Sequence, residues 1–441
     1  MVSQAVLAIG LFSLLSPQSH AAAPLQPIQW PSMTEVIRWQ SPWVLEMNAP
    51  DPQAAAIVAQ YLNNLEAMGF PAEAQGVWVQ TGGTAIASNQ GMMPLPAASL
   101  TKLVTTLAAL ETWPLDHQFE TWVGRTGPIR DGVLQGDLVI RWEGDPYFVW
   151  EEAIALGNAL QQLGLRQVTG DLVILGDFSM NFEDDPYRAG ELLIQALDSR
   201  RWSNEVWGQY DQMALNTPQP TLQIDGAVTV RSATAVSDIA GWLIRHESLP
   251  LIALLKAMNI YSNNVMSDLL AAGMGGTNTM LLKAAQGADL SLREIRLING
   301  SGLGMENQIS PRTVVAVLIA LQAQLRAENL SVSDIMPVAG EDVGTLVYRD
   351  LPAQSALKTG TLATVSSLAG FFPTRDRGPV WFSIQNQGGD LVLLRAQQDA
   401  LLAALADHWG VASAPPHFQS RVRLGVAPYV LGDPTRNLAP N

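Results

Sequence analysis

The stretch LPAASLTKLVTT, Leu95 to Thr106, decides how the rest of the chain is read. The chain has only four lysines, Lys102, Lys256, Lys283 and Lys358. Lysine differs from arginine in that burial and neighbours can lower its pKa far enough to make it a base. Lys102 stands three residues after Ser99. Pro96 precedes the run, and Leu103, Leu107 and Leu110 recur at helical spacing, which predicts a helix beginning here. Residues i and i+3 share a helix face. A serine in the first turn also gains from the N-terminal dipole, which stabilises a developing alkoxide, and a neutral lysine beside it can take the hydroxyl proton. Ser99 alone fits a helix N-cap equally well.

Composition sets the frame. The chain has 441 residues, 48% hydrophobic and 15% charged, which suits two or three domains with a sizeable core. The net charge of −15 argues against nucleic acid or an anionic membrane as partner. Cysteine is absent, so no thiol nucleophile, thiolate metal site or disulfide is available. "AVLAIGLFSLLS" followed by "SHAAAP" reads as a signal peptide, residues 1–23, cleaved after Ala22 or Ala23, although "MVSQ" lacks the usual basic residue; an apolar N-terminal helix of the fold is the alternative. A mature protein of this kind would be periplasmic, with no stable membrane span.

Along the chain, "DPQAAAIVAQYLNNLEAMGF" predicts a helix capped by Asp51, with Pro52 at its first position and Gly69 at its end. From about Phe119 the texture changes. "GVLQGDLVIRWEGDP" and "VTGDLVILGDFSM" are two similar strand-like runs, separated by the helix-like "WEEAIALGNALQQLGL". Residues 119–240 read as a β-rich domain of its own with one clear helix, lying between 24–118 and 241–412. The tail, 413–441, has several prolines and no helical period, and reads as poorly ordered.

Elimination narrows the chemistry. No H-E-x-x-H, G-x-S-x-G or phosphate-binding glycine loop occurs, and the histidines have no zinc spacing, so neither a metal nor a cofactor is expected. Ser plus Lys remains. S-x-x-K occurs twice, but Ser355 to Lys358 leads into a β-branched run and not a helix. There, "KTGT" on a strand would present Lys358 and Thr359 to a cleft, with Gly360 leaving the backbone open to ligand and a cation and hydroxyl suited to a carboxylate. Lys358 as a solvated strand lysine is the plain alternative. Ser262-Asn263-Asn264 lies at a loop-to-helix junction, where Ser262 and Asn264 can both point into a cleft, or Ser262 or Asn263 can be an N-cap only.

S-x-x-K, then S-x-N, then K-T-G, in that order, resembles the penicillin-recognising serine enzymes. With "GVLQGDLVIRWEGDP", "NGSGLGMENQISPR" and "MPVAGEDVGTLVYR", the chain is similar from about Gly76 to Gly410 to the class C low-molecular-weight penicillin-binding proteins. These are D-alanyl-D-alanine carboxypeptidases, often also endopeptidases. The resemblance implies an α+β, penicillin-recognising serine transpeptidase-like fold: an antiparallel sheet flanked by helices, a helical lobe and an inserted β-rich domain. It implies Ser99 as nucleophile, Lys102 as its base, Ser262 and Asn264 on the second side, Lys358 and Thr359 on the substrate carboxylate, and the amides of Ser99 and Thr361 as oxyanion hole, with Gly360 between. Peptidoglycan stem peptides are the implied substrates and β-lactams the implied covalent inhibitors. A β-lactamase is the nearest rival, since Tyr261-Ser262-Asn263 also fits Y-x-N, but no E-x-x-L-N run is present. A cell-wall binding protein that kept the fold and lost turnover is the non-enzymatic rival.

Overall fold

The computed structural model describes residues 51–440; the expected signal segment lies outside them. Its frame is a five-stranded antiparallel sheet in the order Ala356–Leu362, Val365–Thr374, Gly378–Gln387, Gln75–Thr81, Thr84–Asn89. The period-2 alternation of strands sends successive side chains to opposite faces. Val77 and Val79 therefore pack under the terminal helices Pro52–Ala67 and Leu391–Trp409, together with Phe372, Phe382 and Trp409. Trp78, Phe371 and Trp381 face the other way, toward a helical lobe that includes Thr101–Leu110, Leu251–Tyr261, Asn264–Gly273, Thr277–Ala288 and Pro311–Ala327.

The first helix forms where its capping residues predict. The Asp51 carboxylate accepts the Ala54 amide at 3.0 Å, Pro52 fills the first position, and Gly69 follows with φ +88°. The same carboxylate accepts Trp409 Nε1 at 2.8 Å and Arg377 at 3.0 Å, so one cap also joins the first helix to the last. Thr101–Leu110 is buried nearly all round, Leu103 and Leu107 completely.

The inserted segment is more helical than expected. Its six-stranded sheet runs Val228–Arg231, Leu172–Leu175, Leu138–Trp142, Glu120–Arg125, Gly241–Glu247, Asn437–Leu438. The two similar runs of the sequence are parallel neighbours in register, Leu138 opposite Leu172 and Ile140 opposite Ile174. Parallel strands need long crossovers. Helices supply them: Trp150–Gln162, closed by Gly164 as expected, and Pro186–Leu197. The second, capped by the Asp185 carboxylate on the Arg188 amide with Pro186 at its first position, adds a helix to the one expected in this segment.

One boundary and the reading of the tail also change. Gly241–Glu247 pairs with Glu120–Arg125, so the inserted sheet runs past 240. The tail is anchored, not loose: Phe418 lies 4.5 Å from the Phe371 ring, Arg436 pairs with buried Glu152, and Asn437–Leu438 pairs with Arg245 and His246. Aromatic and ionic contacts hold it where no periodic pattern could.

Candidate functional site

Ser99 lies in a short 3-10 turn, Ala98–Leu100, that runs straight into Thr101–Leu110. Its hydroxyl does not cap the helix; Lys102 Nζ lies 3.0 Å from it. Ala98, just before it, is buried with φ +48°. A non-glycine residue in this region is strained by about 1–3 kcal/mol and persists where its surroundings fix it. Gly302 is one such surrounding: a Cβ there would come within 1.9 Å of the Ala98 carbonyl oxygen.

Lys102 is fully buried, and its amine meets three oxygens: Ser99 Oγ at 3.0 Å, Asn264 Oδ1 at 2.8 Å and the Ser301 carbonyl at 2.8 Å. The last two are acceptors only. A neutral amine gives its two N–H groups to them and turns its lone pair on the Ser99 hydroxyl. Burial pushes the Lys102 pKa down to about 7, against a smaller upward pull from Asp268. The amine is thus poised near neutrality, the condition for a general base.

The second side settles which asparagine faces inward. Leu251–Tyr261 ends on Ser262, whose left-handed φ of +53° turns the chain into Asn264–Gly273. Asn263 Oδ1 accepts the Met266 amide at 3.0 Å and is a helix cap. Asn264 reaches Lys102, and Ser262 Oγ lies 2.9 Å from Lys358 Nζ. Ser262 and Asn264 share the site, and Tyr261-Ser262-Asn263 does not supply its asparagine.

The strand Ala356–Leu362 is the outer strand of its sheet and brings the third side. Lys358 departs from expectation. Its amine is wholly buried and donates to Ser262 Oγ and, at 2.7 Å, to the Thr359 carbonyl, so it sits inside the site and not on the cleft wall. Burial first, then repulsion from Lys102, holds its pKa well below the ordinary lysine range. Gly360 also has a different reason from the expected one. A Cβ there would lie 2.2 Å from Ser367 Oγ and 3.0 Å from the Ser99 amide nitrogen. Glycine is required because the strand presses against the turn that bears Ser99. Thr359 is nearly buried and Thr361 exposed; with Gly360, Tyr261 and Arg395 they line a cavity of about 690 Å3.

The sequence missed three participants. The Ser301 carbonyl is a backbone group that no side-chain motif reveals, although the glycines of "NGSGLG" mark the loop. Asp268 accepts the Gly300 amide at 2.9 Å and biases Lys102 from there. Arg395 donates to Thr361 Oγ1 at 2.9 Å from the last helix. The second S-x-x-K serine, Ser355, is buried and donates to the Pro352 carbonyl at 2.6 Å. Among the described residues no group of three or more His, Asp or Glu could hold a metal ion, and no helix is long and apolar enough to cross a membrane.

Known proteins share this arrangement of elements. A predatory endopeptidase from Bdellovibrio bacteriovorus superimposes with a TM-score of 0.68 at 19% identity, over 80% of this chain and 96% of that one. That endopeptidase is also known in a penicillin G acylated form. Penicillin binding protein 4 from Haemophilus influenzae gives a TM-score of 0.60 at 19% identity, over 79% of this chain and 98% of the other. In sequence, the D-alanyl-D-alanine carboxypeptidase of Actinomadura sp. is 27% identical, over 75% of this chain and 80% of its own length. The D-Ala-D-Ala carboxypeptidase 3 (S13) family matches residues 54–187 and 210–408, both flanks of the site and most of the inserted segment: the chain belongs to that family and is a serine-type D-Ala-D-Ala carboxypeptidase.

Proposed function

We propose that the carboxypeptidase works through an acyl-enzyme at Ser99, in the periplasm, on peptidoglycan stem peptides. The observation behind this reading is the 3.0 Å approach of Ser99 Oγ to a buried amine whose pKa is near 7. Lys102 takes the Ser99 proton as Oγ attacks the carbonyl of the penultimate D-Ala. The amides of Ser99 and Thr361 hold the oxyanion, a role supported by the close approach of Gly360 to the Ser99 turn. The C–N bond breaks, and the proton passes through Ser262, held by Lys358, to the departing D-Ala amine. Water then cleaves the ester. Asn264 keeps the Lys102 amine aimed. Thr359, Gly360 and Thr361 form the bed along which the extended peptide lies, at an open strand edge.

β-Lactams present the same amide carbonyl in a ring, and the reading makes them covalent inhibitors on Ser99. DD-endopeptidase cleavage, in which the scissile D-Ala-linked bond belongs to a crosslink, belongs to the same reading. Incubating the mature protein with purified muropeptides and weighing the products tests both. Loss of one alanine mass from pentapeptides supports carboxypeptidase action, and conversion of crosslinked dimers to monomers supports endopeptidase action. Unchanged muropeptides would refute the reading.

A further inference from the structure

The family match skips residues 188–209, inside the inserted domain. That stretch holds most of the helix Asn204–Tyr210 and two tryptophans, Trp202 and Trp207. The helix has two faces. Val206 is fully buried, and Tyr210 and Met213 pack with it on the core of the inserted domain. Asn204, Trp207, Gly208 and Asp211 fall at i, i+3, i+4 and i+7, so they form one stripe, and all four are exposed.

Trp207 dominates the stripe. Among the described residues it is the one exposed tryptophan, at 38%. It is also held in place. Trp202 stands across it, ring centres 4.8 Å apart and planes at 74°, and Tyr210 lies at 5.8 Å and 87°. Both are edge-to-face contacts, a favoured geometry for aromatic pairs. Trp202 is itself anchored, its Nε1 donating to the Ala196 carbonyl at 3.0 Å. The Trp207 indole N–H and the side chains of Asn204 and Asp211 form no hydrogen bond with any described residue. A Cβ at Gly208 would meet nothing within 4 Å, and its φ is not left-handed, so neither packing nor a turn calls for glycine there. Glycine inside a helix costs stability relative to alanine. What it provides here is a gap beside an exposed, rigid indole.

Such a stripe fits a sugar. The C–H face of a pyranose is apolar and stacks on a flat indole, while its hydroxyl and acetamido groups need a few placed polar partners at the edge. Asn204 offers a donor and an acceptor, and Asp211 offers acceptors. The stripe has a carboxylate and no cation, which suits an uncharged ligand and disfavours an anionic one. We propose that the face formed by Asn204, Trp207, Gly208 and Asp211 binds N-acetylglucosamine units of the glycan strand from which the stem peptides hang. A sugar contact on the inserted domain keeps the enzyme on its polymer and raises the local concentration of the peptides it cuts. The inference rests on the reading of peptidoglycan as that polymer.

The test measures binding to an immobilised N-acetylglucosamine oligomer and to purified sacculi, for wild type, Trp207→Ala and Gly208→Gln of equal thermal midpoint. In parallel, kcat/KM is measured on a soluble diacetylated L-Lys-D-Ala-D-Ala peptide. Both variants should bind oligomer and sacculi about ten-fold more weakly, the scale of losing an aromatic anchor, with kcat/KM unchanged. Gly208→Gln is the stricter variant: it favours the helix and keeps Trp207 but fills the gap, so a merely structural tryptophan would not respond to it. No binding of the oligomer by wild type, or equal binding in either variant, overturns the proposal. So does binding that vanishes in high salt, which would assign the contact to charge, or a wild-type dimer that Trp207→Ala breaks, which would assign the stripe to a second copy. Turnover of the soluble peptide without oligomer binding overturns the sugar site alone; oligomer binding with no turnover of any stem peptide overturns the reading beneath it.

Discussion

The rate at which Ser99 is acylated should follow the deprotonation of Lys102. With a pKa of about 7, the amine is neutral in about 3% of molecules at pH ~5.5, half at pH ~7 and about 97% at pH ~8.5. Acylation should therefore rise about thirty-fold across that interval and level off above pH ~8. An ordinary lysine would behave otherwise: only about 1% would be neutral at pH ~8.5, and the rate would still climb ten-fold per pH unit there. The plateau, not the rise, reports the burial. The assay is stopped-flow acylation by a fluorescent penicillin under single-turnover conditions, which isolates this step from deacylation. Lys102→Arg provides the control. Arginine keeps the charge but cannot give up its proton, so acylation should fall by about 10²–10⁴, the usual contribution of a positioned base. A flat profile, a rate still climbing at pH ~9, or near-normal acylation in the arginine variant would refute the base role.

Three other outcomes are expected. Peptide mapping should find the penicillin adduct on Ser99 and none on Ser355, whose hydroxyl is buried and committed to the Pro352 carbonyl. Asn263→Ala should cost about 1 kcal/mol in denaturant melts, as the loss of a helix cap does, with acylation largely preserved, while Asn264→Ala should slow acylation at least ten-fold by releasing the Lys102 amine. Asp268→Asn removes the anion that favours protonated Lys102, so the Lys102 pKa should drop and the rising limb of the pH profile move to lower pH; a limb that stays put would assign the shift to burial alone.

Local signals were the readable ones. The Asp51 cap, Gly164 closing its helix and the Ser99–Lys102 spacing each depend on residues within one or two turns. The pairing of Ser262 and Asn264 rests on helix register, which is also local, and the structure sorts Asn263 to the cap and Asn264 to the site. What escaped depends on contacts distant in sequence. The Ser301 carbonyl lies 199 residues from Lys102, and Arg395 lies 34 residues beyond Thr361. The reason for Gly360 is likewise tertiary, a close approach between a strand and a turn far upstream. The crossover helix Pro186–Leu197 follows two Gly-Asp-rich strand-like runs without a contrasting texture, and parallel pairing cannot be seen without knowing which strands meet.

The lysines explain why this site needs so unusual a composition. Lys102, Lys256 and Lys358 are all fully buried. Lys256 has a conventional arrangement: two backbone carbonyls, Ser333 at 2.8 Å and Met336 at 2.7 Å, and the Asp342 carboxylate at 2.7 Å. Burial lowers its pKa, but the contacting anion opposes that and makes a cation tolerable there. Lys102 and Lys358 touch only neutral oxygens, and they repel each other. An ammonium buried without an anion costs several kcal/mol, and giving up a proton relieves the cost. The two titrations belong to the pair, since the charge on either amine disfavours the charge on the other. In the proposed mechanism the fold makes a base by withholding a partner. A carboxylate contact at Lys102 like that of Asp342 at Lys256 would hold the charge and leave Ser99 without an acceptor for its proton.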